Sequence, residues 1–426
     1  MPLILILADD LSGAADCAGG CAAAGLDTRV LLAPAAAGTE AAVLAVDVDT
    51  REMAGDAAAC AMGEAVRRIA GAGPRIVYQK MDSTLRGNWA RELAAARQAL
   101  GAMAGTAPLA VVAPAFPALG RTMRNGEVLV HGRPLAEVAG RTGDVAPALR
   151  AAGLAVRLVP GDDVRGPDGT LAARLRAAAA DGIEAIVCDA EADQDLARIA
   201  EGGRAAEVPV LWAGSAGLMR ELARGLGLPP APAGRACGQP APGAGPLLFV
   251  VGSAAPPAQA QLRRLVAGGD VEALPVAPGI LRGGPERLQA TARALDAALA
   301  AGRHVALSIA PEEGASEDAG LAAALGRLAA PRLARAGGLL ATGGRTARSV
   351  LEAAGVAALR IGGEVEPGVP WGATLGAVAM PIATKAGGFG GEATLLACRD
   401  ALEALRRGEM PGTPGAGADL PRRTAP

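Results

Sequence analysis

Aromatic residues are nearly missing from this chain: three Trp, one Tyr and three Phe among 426 residues. The core must therefore be built from Ala, Leu and Val, and no aromatic-interleaved basic surface is available for stacking single-stranded nucleic acid. Basic side chains are dispersed and the net charge is −2, which excludes a general attraction to nucleic acid or anionic membrane. Histidine occurs only at His131 and His304, and the six cysteines (17, 21, 60, 188, 237, 398) are scattered. Their one close pair, Cys17 and Cys21, falls in an Ala-rich helical run as small core residues, so no metal site is expected. No apolar run reaches the ~20 residues that cross a bilayer. The opening run, Leu3 to Ala8, has no charge before it and two aspartates after it, the pattern of a first strand rather than a signal peptide. A reducing cytoplasm fits these absences.

What is present is an apolar fraction of 51%, enough for packed cores, in a length that predicts two or three domains. Short apolar runs alternate with Ala-rich helical stretches. Leu3–Leu7, Ala41–Val46, Arg75–Tyr78, Leu109–Ala113, Val156–Val159, Ile186–Cys188 and Val210–Trp212 read as buried strands of a mainly parallel sheet. Val130–Pro134 reads as a turn or hairpin. A stretch rich in Pro, Gly and Ala, Pro229–Pro246, has the composition of a linker. It divides the chain into 1–228 and 247–410, and the Pro/Gly/Thr-rich tail 411–426 is expected to be disordered. The alternation then restarts with Leu247–Val251, Val271–Val276, Val305–Ile309, Gly338–Ala341 and Pro381–Thr384. The predicted fold class is α/β: two three-layer domains with mainly parallel sheets and an active site in the cleft between them.

The rarest residue types concentrate in one place. Of 41 Lys plus Arg only Lys80 and Lys385 are lysines, and Asn88 and Asn125 are the only asparagines. Tyr78-Gln-Lys-Met-Asp-Ser-Thr-Leu-Arg-Gly-Asn88 gathers Lys80, Asp82, Ser83, Arg86 and Asn88 at the end of a buried strand, where open α/β sheets place their ligands. The first strand similarly delivers Asp9 and Asp10. Capping the next helix uses one carboxylate, leaving the other for a hydroxyl, a metal or a proton. The stiff loop Pro114–Thr122 presents Arg121, which with Arg86 suits an anionic group by its planar fork. In the second half, three strands run into glycine loops, at Gly252-Ser253, Gly343-Gly-Arg-Thr346 and Lys385-Ala-Gly-Gly388. Strand, glycine loop and helix together present backbone N–H groups to phosphate. Trp212-Ala-Gly-Ser-Ala-Gly-Leu218 shares the pattern, with tight helix–strand packing an equal explanation. There is no Gly-Lys pair for a Walker A motif and no GxGxxG fingerprint, which argues against both a P-loop ATPase and a classical dinucleotide enzyme.

Taken together these motifs resemble the four-carbon acid sugar kinase family over nearly the whole chain. Ala8-Asp-Asp-Leu-Ser-Gly-Ala14 is similar to its opening signature, Lys80–Asn88 to its most specific block, and Pro114–Arg121 to its Pro-Ala-Phe-Pro loop. Gly252-Ser253, Gly343–Ala347 and Lys385–Gly390 are similar to its nucleotide loops. The chain departs from the family at Arg345, where an acidic residue is usual, and at Ala254-Ala-Pro-Pro257, where hydroxyl residues are usual. The resemblance implies ATP-dependent phosphorylation, with Mg2+, of the terminal hydroxyl of threonate, erythronate or 3-oxotetronate. It implies a sugar-acid domain at 1–228 and a nucleotide domain at 247–410, with a homo-oligomer left open. Asp10 or Asp82 would take the hydroxyl proton; Asp9, Lys80, Ser83, Arg86, Asn88 and Arg121 would hold the acid. Gly252, Ser253, Gly343, Gly344, Arg345, Thr346, Lys385, Gly387 and Gly388 would hold the nucleotide. The competing readings are a sugar-acid dehydrogenase or isomerase with another phosphate-bearing cofactor, and a non-catalytic sugar-acid binder.

Overall fold

The structure is a computed structural model that describes residues 2–34, 40–227, 245–311 and 319–411. Most of the expected linker and tail thus lie outside the described residues. The first half contributes the strands β1 (Ile4–Ala8), β2 (Thr28–Leu31), β3 (Val43–Asp47), β4 (Ile76–Lys80), β5 (Leu109–Ala113), β6 (Arg121–Arg124), β7 (Glu127–Val130), β8 (Arg133–Pro134), β9 (Val156–Val159), β10 (Ala185–Cys188) and β11 (Val210–Gly214). The second half contributes β12 (Leu247–Val251), β13 (Val271–Val276), β14 (His304–Ile309), β15 (Gly338–Thr342), β16 (Val356–Glu366), β17 (Val369–Gly376) and β18 (Pro381–Lys385).

The two halves share one sheet of order β13-β14-β12-β15-β18-β17-β16-β2-β3-β1-β4-β11-β5-β10-β9, while β6, β7 and β8 form a separate small sheet. The expected hairpin near Val130 is the β7–β8 part of that small sheet. Every residue of β1 is buried, because it pairs in parallel with β3 on one side and β4 on the other. Its apolar run is unbroken for that reason. Ala8 lies opposite both Asp47 and Lys80, so the loops after β3, β1 and β4 open side by side. In the second half Val251 lies opposite Thr342, and Thr342 opposite Lys385. The three glycine loops are therefore neighbours too.

The strands that join the halves were not anticipated from sequence. The hairpin β16–β17 pairs antiparallel with β2 on one side and β18 on the other. Following the pairings, the parallel strands of the two halves run in opposite senses. Three register shifts interrupt the β16–β17 ladder, and such bulges add local twist. The shortage of aromatics has a matching packing device: a Cβ at Gly362 or Gly203 would collide with Trp371 or Trp212. One buried apolar cluster runs from Ile4 and Leu7 through Leu359 to Leu339 and Ile382, so the core is continuous across the halves. A second lies on the other face of the second half, around Phe249, Leu395 and Leu402.

Candidate active site

The centre of the charged cluster is Arg51, a residue sequence reasoning passed over. Its Nε and Nη2 grip Asp9 at 2.8 and 2.7 Å, its Nη1 reaches Asp10 Oδ2 at 2.5 Å, and Nη2 stands 3.7 Å from Asp82. The backbone aims it: the Thr50 and Arg51 amides donate to the Asp9 carbonyl, which follows from the side-by-side exit of β1 and β3. Asp10 also caps the first helix, Leu11–Ala23, its Oδ1 accepting from the Gly13 amide at 2.7 Å. Asp10 is thus the capping aspartate of the pair, and its second oxygen faces Arg51. Asp9 is buried and its carboxyl is raised by that burial, against the pull of Arg51. Gly87, at φ +82, must be glycine here, since a Cβ would sit 2.7 Å from Asp9 Oδ2.

Asp82 is organised by its own loop. Its Oδ1 accepts from the Thr84 amide at 3.0 Å, the Thr84 hydroxyl and Arg86 Nε, and its Oδ2 from Arg86 Nη2 at 2.6 Å. Burial would raise this carboxyl, but Arg86 and Arg51 hold it well below the usual carboxylate range. Ser83 is buried in the same turn. Asn88 points elsewhere: its amide donates to the Met53 carbonyl at 2.9 Å, tying down the Arg51 loop. The structure does not bring Asn88 to the cluster as a ligand group.

Lys80 is 5% exposed, and among the described residues its ammonium has no hydrogen bond or ion pair. Burial alone would lower its pKa; Asp16 and other acidic neighbours hold it above the ordinary lysine value. Asp16, also missed from sequence, is pushed up to about 7 by burial despite Lys80, and its Oδ1 is buried without a hydrogen-bond partner among the described residues. Arg121 reaches the second half, lying 5.3 Å over the Phe389 ring. Its Nη1 donates to Leu119 O at 2.8 Å while its Nε is buried with no partner among the described residues. Lys80, buried, and Arg121, half-buried, are thus cations with donors to spare among the described residues.

The glycine loops meet as their register predicts. A Cβ at Gly252 would collide with Thr346 Oγ1, and one at Gly387 with Ser253 Oγ. Gly343 adopts φ +96 and opens the helix Gly344–Ala353. Arg345 is exposed on its first turn, and Gly388 borders open space. Lys385 is buried beneath its loop, donating to Ala386 O at 3.0 Å and Gly387 O at 3.4 Å. Burial lowers its ammonium to about 8. The loop at Trp212–Leu218 proves to be packing: Ser215 Oγ donates to Ala115 O and the Tyr78 hydroxyl to Ser215 O.

The two clusters touch. A Cβ on Gly344 would lie 2.8 Å from Asp10 Oδ2 and 3.0 Å from Ser12 Oγ. Gly344→Val is expected to push Asp10 off the loop and lower kcat/KM by on the order of 10²-fold, the cost of a 1 Å misplacement. Steady-state kinetics with the Tm measured alongside checks it; unchanged kcat/KM would mean that this contact is incidental. Among the described residues no group of three or more His, Cys, Asp or Glu is arranged to hold a metal, and Asp9, Asp10 and Asp82 are already paired with arginine. A metal caged by three or more protein side chains is therefore not built among the described residues.

Fold and site define a two-part α/β protein in which a charged polar cluster faces three glycine loops across a seam. A sugar-binding N-terminal domain family matches residues 4–222 and a nucleotide-binding C-terminal domain family matches 248–395. The chain is 43% identical over 412 residues to a D-threonate kinase of Cupriavidus necator, covering 92% of this chain and 96% of that one. It is 33% identical over 428 residues to a 3-oxo-tetronate kinase of Methylobacterium radiotolerans, covering 90% and 96%. A Salmonella typhimurium LT2 crystal structure described as a tRNA synthase superposes with a TM-score of 0.78 at 24% identity, covering 93% of this chain and 98% of that one; that likeness is one of fold. The chain belongs to the four-carbon acid sugar kinase family. No helix among the described residues is long and apolar enough to cross a membrane.

Proposed function

We propose that this protein uses ATP to phosphorylate the terminal hydroxyl of a four-carbon sugar acid such as threonate, erythronate or 3-oxotetronate. The observation that carries the reading is the contact of Asp10 with Gly344, which sets a proton acceptor against a phosphate-type loop. Lys80 and Arg121, with donors unused among the described residues, attract the acid's carboxylate, and Arg86 lines the same region. Asp10 orients the attacking hydroxyl and takes its proton as the oxygen bonds to the γ-phosphorus and ADP leaves. Asp82, held well below the usual carboxylate range by Arg86 and Arg51, is a poor base and instead fixes those arginines. Asp9 anchors Arg51, and Asn88 and Lys385 hold loops in place. Phosphoryl transfer asks mainly for such positioning and charge neutralisation. Magnesium would neutralise the phosphates, taking its ligands from phosphate oxygens and water.

ADP release with Mg-ATP against D- and L-threonate, D- and L-erythronate and 3-oxotetronate tests the proposal. Release dependent on one acid is expected. Silence across the panel with ATP bound would move the acceptor outside four-carbon acids, and silence without ATP binding would overturn the nucleotide assignment.

A further inference from the structure

Arg348 lies one turn beyond the glycine loop, on the helix Gly344–Ala353, yet its charge is spent across the seam. Its Nη1 meets Asp47 Oδ2 at 2.5 Å and its Nε meets Asp49 Oδ2 at 3.1 Å, both at the end of β3, while Nη2 meets Glu352 on its own helix at 2.7 Å. The Asp47 side chain is fully buried. Asp49 is held at φ +56, a left-handed backbone that aspartate tolerates better than most residues, with its amide on Asp47 Oδ1 at 3.0 Å. Two residues further on is Arg51, which grips Asp9 and Asp10. One five-residue loop therefore carries Arg348's partners at one end and the organiser of the aspartates at the other. A second contact, Gly344 against Asp10, closes the circuit.

We infer that Arg348 is a positioning residue that couples the two substrate sites: seating a nucleotide on the 343–346 loop sets the Asp47–Arg51 loop, and through Arg51 the aspartates that receive the sugar acid. The inference rests on the kinase reading above. Coupling is an equilibrium quantity and acts equally in both directions. A merely structural arginine would lower stability without changing how one ligand alters the affinity of the other.

The test is calorimetric titration of the full-length protein with D-threonate, with and without a saturating non-hydrolysable ATP analogue. In the wild type the analogue is expected to tighten D-threonate binding by about fivefold or more, within the range common for linked sites. In Arg348→Ala that factor should fall below about twofold, with Arg348→Lys recovering part of it. Asp49→Asn, a mild change at a half-exposed position, should reduce the factor, whereas Glu352→Gln, which removes only the partner on the same helix, should leave it intact. Undiminished coupling in Arg348→Ala, or wild-type binding of both ligands with no coupling, would overturn the inference and leave the kinase reading standing. Absence of any nucleotide binding by the wild type would overturn the reading itself and the coupling with it.

Discussion

Asp10→Asn is expected to cut kcat by about 10² to 10⁴-fold, the usual worth of a positioned general base, while leaving the fold nearly as stable. The prediction separates catalysis from capping because asparagine caps helices about as well as aspartate. The amide oxygen can still accept from the Gly13 N–H that Asp10 Oδ1 holds at 2.7 Å. What is lost is the capacity to take a proton, together with the charge facing Arg51 Nη1. Asp82→Asn is the informative partner. Its carboxyl is held well below the ordinary range by Arg86 and Arg51 after these outweigh burial, so it accepts a proton less readily. Its replacement should act mainly through KM, by releasing Arg86. If Asp82→Asn abolished turnover while Asp10→Asn retained it, the roles of the two would be reversed.

Arg51→Ala should be the most destabilising single change in the cluster. Its side chain is 13% exposed and reaches three aspartates, so truncation leaves buried carboxylates facing one another. Breaking buried pairs in this way costs about 3–5 kcal/mol, read as a Tm lower by roughly 3–6 °C. The pH dependence gives the cause away. Without the guanidinium that pulls it down, the Asp9 carboxyl, already raised by burial, rises further, so the folded variant binds more protons than the folded wild type. Its deficit relative to wild type should therefore shrink as pH falls from 7 toward 5. Arg51→Lys should not rescue, because an ammonium cannot reproduce the two-point grip on Asp9. A Tm deficit that is constant with pH would mean that packing rather than charge is what Arg51 supplies.

The sheet ends that carry the site were legible because each follows an unbroken apolar run, as strands buried on both faces must have. The Lys80–Asn88 block stood out through composition: lysine and asparagine are so scarce that their coincidence in one loop was informative. Arg51 was hidden by the reverse effect, since in a chain this rich in arginine one more after a strand carries no signal. The clue was topological, the parallel pairing of β1 with β3, and pairing is set by tertiary structure rather than by local pattern. Asp16 looked like one more polar residue in an alanine helix, and only its burial beside Lys80 marks it. The hairpin β16–β17 escaped for a local reason. Its glycines and bulges break the alternation that announces a strand. Asn88 was rightly singled out as unusual, but its amide holds a loop.

The central claim is that an acceptor held in the first half presents its terminal hydroxyl to Asp10 and the loop at Gly344. Phosphorus NMR of the product formed from D-threonate and Mg-ATP tests it most directly. The account predicts a phosphate ester on the terminal carbon, its resonance split by two protons, and no such product from Asp10→Asn on the same timescale. An ester on an internal carbon, split by one proton, or undiminished product from the variant, would contradict it.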